Sequence, residues 1–335
     1  MLLLILCLVL FSPKSISEAF SSRQSSTGRQ SSLLSLHPSS GDTKVTVDAL
    51  LADLDSDERD EREISIYISD LEDKFNPPKG SDEEARFKPL VGLYEVAYIK
   101  TTKMGDNPVG GKWTRPGGLA QKILKNRRTF QHITAANSTG CGTMSINGRK
   151  VVGEAINVLS FDALWGLCRC FVILRGDAIA LNDTERLTNL DKPLSNVAVK
   201  ALFDAPRIAL GKTGGWLNIN VGPRSSVLLD ASYVDEKLRI GVGGMSGTRF
   251  VFKRCEEGDE EANEFRAILS KKPLTKLKAL STAAATGTLG VVGTFVKGLK
   301  IIGGIVVLLS ALLASLVAFS SGGIEPDGVS TTLTK

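Results

Sequence analysis

The sequence predicts a mainly β protein: a single closed antiparallel barrel, with an amphipathic helix ahead of it and a transmembrane helix behind it. Three observations predict this. Between Phe87 and Lys253, short runs rich in Val, Ile, Phe and Thr recur between Gly, Pro and Asn-Gly turns. About eight to ten strands at such spacing suit an antiparallel barrel better than a parallel sheet, and closure removes the exposed edges. Upstream, Leu50, Leu51, Leu54, Ile64, Tyr67, Ile68, Leu71 and Phe75 fall at spacings of three and four, the helical period. Downstream, Ile301–Phe319 is 19 residues without a charge, about 28 Å of helix at 1.5 Å per residue.

Taken in order, Leu2–Phe11 is a short apolar run followed by Ser17-Glu18-Ala19, a small-x-small cleavage pattern. It is too short to span a bilayer and reads as a signal peptide over residues 1–19. Residues 20–43 are Ser-rich, with Arg23 and Arg29, and Phe20–Gly41 has no acid. That composition is that of a transit peptide, and a signal peptide joined to one is the arrangement of a plastid inside an extra membrane. An ordinary secreted protein with a Ser-rich start is the alternative. Residues 44–86 form an acidic amphipathic segment, either one helix or a broken pair, stopped by Asn76-Pro77-Pro78.

Residues 87–256 hold the strands. Val91–Ile99, Arg128–Ala135, Met144–Ile146, Val151–Leu159, Cys168–Leu174 and Ala178–Leu181 are expected extended, then Val197–Phe203, Trp216–Val221, Val227–Leu229, Lys237–Ile240 and Thr248–Lys253. Asn147-Gly148 marks a tight hairpin. If Tyr233–Ile240 is extended, Tyr233, Asp235, Lys237 and Arg239 share one face, and Asp235 and Arg239 are placed to pair. Residues 257–300 read as a basic juxtamembrane segment, with Leu280–Val296 as an interfacial helix or weaker second span. Residues 301–319 are the expected transmembrane helix and 320–335 a short tail. Lys271, Lys272, Lys276, Lys278, Lys297 and Lys300 precede that helix, which keeps the barrel on the side of import. Ser310, Ala314 and Ala318 recur at small-xxx-small spacing, which permits a weak homodimer or a membrane-protein complex through this helix.

Charge excludes some classes. The net charge is +5, but Val47–Arg86 carries 14 acids against 5 bases, and the basic excess lies at the transit region and before the membrane helix. That distribution does not suit nucleic acid, which needs basic residues gathered on a folded surface. Cys141, Cys168, Cys170 and Cys255 lack metal-ligand spacing, and His132 is the only histidine in the folded part, so no metal or cofactor is implied. Gly241-Val-Gly243-Gly244 precedes a strand and not a helix, which rules out a nucleotide loop. No Gly-x-Ser-x-Gly elbow is present, and no motif points to His132 as a catalytic base.

The segment Tyr233-Val-Asp235-Glu-Lys-Leu238-Arg239-Ile240, followed by Gly247 and Phe250-Val-Phe-Lys253, closely resembles the C-terminal signature of the plastid lipid-associated (fibrillin) family. Leu90-Val-Gly92-Leu-Tyr94-Glu-Val-Ala-Tyr98 is similar to that family's opening strand, with Tyr94 where the family carries Trp. The resemblance implies a lipocalin-like barrel that binds or organises a hydrophobic molecule (a carotenoid, a quinone or an acyl lipid) at a thylakoid or plastid envelope membrane, without catalysis. Small barrels hold one apolar ligand among inward side chains. Tyr94, Trp113, Trp165, Trp216, Phe130 and Phe171 are the candidate lining, with Asp235, Arg239 and Tyr233 as the polar anchor. Arg suits a carboxylate or phosphate. Two readings stay open beside this one. The first is an enzyme acting on a plastid lipid or pigment, which a buried Asp of raised pKa in the cavity would favour. The second is a secretory-pathway membrane protein with glycans on Asn137 or Asn182.

Overall fold

The structure is a computed structural model that describes residues 43–77, 83–100, 124–136, 145–146, 148–163, 168–187, 193–215, 217–220, 224–244, 247–256, 258–296 and 299–319. The signal-peptide and transit-peptide readings, the C-terminal tail, Asn137, Trp113, Trp165 and Trp216 lie outside these residues.

Two helices come first, α1 (Thr43–Asp55) and α2 (Glu61–Lys74). The amphipathic pattern is therefore a broken pair. Asp60 starts the second helix by accepting from the Arg62 and Glu63 N–H groups, which have no partner inside the helix. A short helix α3 (Glu83–Phe87) and a 3₁₀ turn at Lys88–Leu90 lead into the strands. These are β1 (Gly92–Lys100), β2 (Leu124–Ala135), β3 (Ser145–Ile146), β4 (Arg149–Ala163), β5 (Cys168–Ala180), β6 (Val199–Phe203), β7 (Arg207–Leu210), β8 (Leu217–Asn220), β9 (Ser225–Val234), β10 (Leu238–Gly243) and β11 (Arg249–Arg254). A one-turn helix α4 (Asp183–Arg186), capped by Asn182, separates β5 from β6.

The wall runs β4-β2-β1-β11-β10-β9-β6-β5, and β5 pairs back onto β4, closing eight antiparallel strands. β3 continues β4 through the hairpin at Gly148, left-handed at φ 75°, while β7 pairs with the first part of β5, and β8 with β7. Two expected strands, Cys168–Leu174 and Ala178–Leu181, prove to be one, β5. Gly176 lies mid-strand opposite Phe203, and a Cβ there would meet the Leu202 carbonyl oxygen at 2.0 Å. It is a glycine of close backbone approach, not of a turn.

Two helical layers cover the outside. Leu50, Leu54, Ile64, Ile68 and Leu71 of α1 and α2 pack on Tyr98, Tyr233, Leu238, Ile240 and Val251. A helix α5 (Glu260–Ser270) lies on the other flank and inserts Ala262, Phe265 and Ile268 against Phe130, Ile156, Val158, Phe171 and Ile173. Its acids lock it in place: Glu264 accepts from Arg169 at 2.7 Å and the buried Glu261 accepts from the Ser160 hydroxyl. The first part of the expected basic segment is thus an acidic helix belonging to the barrel's core.

The last two helices, α6 (Lys276–Phe295) and α7 (Lys300–Phe319), fold as an antiparallel hairpin. Among the described residues no helix is long and apolar enough to cross a membrane, so a single transmembrane helix over residues 301–319 is not supported. The side chains of residues 305, 309, 312–313 and 316–319 lie outside the described set. What forms over that span is one arm of the hairpin. The two backbones touch at glycines: a Cβ on Gly303 would meet the Gly290 carbonyl oxygen at 2.6 Å and the Thr294 nitrogen at 2.6 Å. Thr286 and Ser310 hydrogen-bond across the seam at 2.8 Å. The small residues read in the sequence as a contact to a second chain partly serve this internal seam: Ser310 faces α6.

Candidate functional site

The barrel interior is set by strand register. Residues directly opposite in antiparallel strands share a face. Tyr94 pairs with Gln131, Gln131 with Asn157, and Asn157 with Leu174; Val96 pairs with Phe252, and Phe252 with Arg239. This face looks inward. Arg239, 4 % exposed, is the buried cation of the lumen. Its guanidinium lies 4.7 Å from the Tyr94 ring centroid and 4.2 Å from that of Phe252. It donates to Gln131 Oε1, whose amide in turn donates to Asn157 Oδ1 at 2.8 Å. Its Nε is buried without a partner. A second guanidinium, Arg254, stands on the same Tyr94, 5.0 Å from the ring, and donates to the Tyr94 hydroxyl at 2.9 Å. Among the described residues no carboxylate pairs with either arginine. Burial, and secondarily Arg254, pushes Arg239 down to about 10.

Around this cluster the lumen is apolar. Phe87 and Leu90 close it, packing with Val152, Ala178, Val199 and Ala231. Between that plug and Arg239 remains a void of about 40 Å³, room for a few waters and not for a chain. The wall is less complete elsewhere. β1 and β2 pair only from Gly92↔Ile133 to Glu95↔Phe130, although β1 continues to Lys100 and β2 begins at Leu124. A cavity of about 650 Å³ lies along this split and reaches the lumen-facing Val96, Thr129 and Leu159, within the size range of small-molecule sites. Arg128 on its rim is already satisfied, donating to Glu95 at 2.8 Å and to Asp259 at 2.7 Å.

The expected site residues separate. Tyr94 and Arg239 meet in the lumen. Asp235 does not pair with Arg239: it sits in the β9–β10 turn and accepts from the Lys237 and Leu238 N–H groups, both at 2.7 Å. That turn breaks the alternation, so Tyr233 faces outward, edge-on to Phe75 with centroids 5.9 Å apart. Its hydroxyl donates to Asp235 at 2.9 Å. Phe130 and Phe171 also point outward, under α5. Gln131, Asn157, Phe250, Phe252 and Arg254 were not expected in the site. Counting in twos from Arg239 would have placed none of the partners on neighbouring strands, because register was unknown. Asp230 also lines the lumen, and burial pushes its carboxyl up. Its oxygens are held by the Ser195 N–H and hydroxyl and by the Ala231 N–H. Cys168 and Cys170 are buried thiols outside any disulfide. Burial pushes the Cys255 thiol up to about 12, well away from a reactive thiolate.

Comparison with known proteins agrees with the two quoted motifs. Over 128 residues the chain is 41% identical to the probable plastid-lipid-associated protein 8, chloroplastic, of Arabidopsis thaliana. The chain resembles the plastid lipid-associated proteins. The match takes in 37% of this chain and 48% of that relative, so the chain spans about half the length of the curated protein it matches. No family model matches. The resemblance is thus shown by a relative's sequence, beside a closed barrel whose opening strand carries Tyr94 against Arg254 and Arg239.

Proposed function

We propose that this chain is a plastid protein that binds a hydrophobic molecule in its barrel, without catalysis, and holds it at a membrane. The reading rests above all on the apolar inner lumen and on the split between β1 and β2, where a cavity of ligand size, rimmed by charged residues such as Glu95, Arg127, Arg128 and Asp259, reaches inward to Val96, Thr129 and Leu159. The name of the similar protein, plastid-lipid-associated and chloroplastic, supports the plastid and the lipid. An enzymatic reading gains nothing from Asp230, the one carboxyl among the residues around the inner void, because its oxygens are already committed.

The membrane contact is assigned to the α6–α7 hairpin as a unit. Phe295 is 83% exposed, Ile301 80% and Leu289 70%, while Gly290, Gly303 and the Thr286–Ser310 hydrogen bond lie at the seam. Small and polar residues between helices with large apolar ones outside is the pattern that suits lipid and not water. On this reading the barrel stands on the stromal side, footed by lysines at the start of α6.

Lipid mass spectrometry on the full chain, isolated from its own cells, tests the proposal beside a Leu159→Trp variant that obstructs the split. A defined lipid or pigment near one per chain, lost in the folded variant, is the expected result. Bulk membrane lipid equal in both samples would refute a barrel ligand. Alkaline washing of membranes tests the hairpin: the chain should stay in the pellet.

A further inference from the structure

Among the described residues, the lumen holds a cation without a counter-ion. Arg239 has five N–H donors. Gln131 takes one, the faces of Tyr94 and Phe252 cover the guanidinium plane, and the buried Nε has no partner. Arg254, also with an unpartnered Nε, adds a second positive charge across Tyr94. Other buried or half-buried arginines either meet acids, as Arg128 does Glu95 and Asp259 and Arg169 does Glu264, or give their donors to several neutral acceptors, as buried Arg207 does to Asn218 and to the Leu269 and Lys271 carbonyls; Arg239 has Gln131 alone. Buried charges are ordinarily paired, so this exception points to a ligand that brings the negative charge with it.

We propose that the barrel's ligand is a long-chain carboxylate bound head-in, with its carboxylate on Arg239, backed by Arg254, and its chain running past Phe252 and Val96 to the β1–β2 split. This rests on the lipid-binding reading above and names its ligand class. The orientation follows from the contrast between the two ends. Of the arginines on the outer cavity, Arg128 has Glu95 and Asp259, Arg127 has Asp162 and Glu261, and Arg59 stands exposed to water, whereas the buried Arg239 has no carboxylate among the described residues. A planar fork of donors fits a carboxylate in two parallel hydrogen bonds. Phe252 pairs with both Val96 and Arg239, so one side chain separates the head site from the 650 Å³ cavity.

The test is equilibrium binding of radiolabelled oleate and oleyl alcohol to the full chain in phosphatidylcholine nanodiscs, with empty nanodiscs subtracted. The same chain length with and without charge isolates the headgroup. Oleate should bind at least about tenfold more tightly than the alcohol, the value of a charge-assisted pair. Arg239→Met should erase that preference, so that oleate and the alcohol bind that variant with equal affinity. Gln131→Glu, which supplies a carboxylate from the wall and keeps the arginine, should erase it too and guards against a folding defect of the first variant. Equal binding of oleate and alcohol, or a preference that survives both substitutions, would overturn the head-in carboxylate and leave the lipid reading standing. Binding of neither probe would overturn both. Displacement of oleate by millimolar acetate or inorganic phosphate alone, with alcohol binding unaffected, would assign the arginine to a free small anion and overturn the lipid headgroup.

Discussion

Replacing Arg239 with Met should change stability little, and the reason can be worked from its surroundings. The folded barrel lowers this arginine well below its ordinary value, to about 10, and each pH unit corresponds to about 1.4 kcal/mol, so holding the charge in the lumen costs roughly 3 kcal/mol. Because the folded value lies below the unfolded one, that cost is fully present below about pH 10 and is relieved only as pH rises from there toward the ordinary arginine value. At neutral pH the substitution removes it. Against this stand two stacked rings, Tyr94 and Phe252, at about 1 kcal/mol each. Gln131 Oε1 is also left without its donor, at about 1–2 kcal/mol. The terms nearly cancel, and the variant should lie within about 2 kcal/mol of the parent. Guanidinium chloride unfolding at pH 7.5, compared at equal slopes, measures the difference. A loss beyond about 4 kcal/mol, the range for breaking a buried ion pair, would refute the reasoning: Arg239 would then be a structural partner and not a vacant cation.

Phe265→Ala should lose about 3–5 kcal/mol in the same assay, because the ring is fully buried, 5.6 Å from Phe130, and carries α5 onto the wall; a change under 1 kcal/mol would detach that helix from the core. Asp235→Ala should cost about 1–3 kcal/mol through the two turn N–H groups it leaves unpaired, yet leave the oleate preference intact, since it faces away from Arg239. Lowering the pH should destabilise the barrel through His132. Burial, with the charge of Arg266, holds its folded pKa below 6.5, so the unfolded chain takes up the proton first and stability falls as pH drops through 6.5. His132→Gln should flatten the melting temperature between pH 7.5 and 5.5, and an unchanged slope would exclude that histidine.

Much of the architecture is legible in the chain itself. Strand period, the Asn-Gly hairpin, the Asn-Pro-Pro stop and the three-four spacing of Leu50 to Leu71 are local signals, and local signals report which element forms and which face is apolar. They found the barrel and the amphipathic helical segment before it, without deciding between one helix and a broken pair. They failed where an element is defined by what it touches. Gly176 reads as a turn and is a strand residue because another backbone passes it. Glu260–Ser270 reads as part of a linker and is core because Phe265 finds Phe130. Residues 301–319 read as an isolated rod and fold back on Gly290.

The site divides along the same line. Sequence by itself determined that Tyr94 and Arg239 lie in a barrel of this kind, because each sits in a motif a few residues long. It also supplied the chemistry of an arginine fork. Only the tertiary structure decided that Asp235 is spent on a turn, that Tyr233 faces the helices, and that Arg239 enters the lumen beside Gln131, Arg254 and Phe252 with no acid among the described residues to meet it. The physical reason is register. A strand's own alternation says that neighbours point opposite ways, but the direction that is inside, and the residues waiting there, depend on how distant strands pair, and a slip of one residue exchanges every lumen side chain for a surface one.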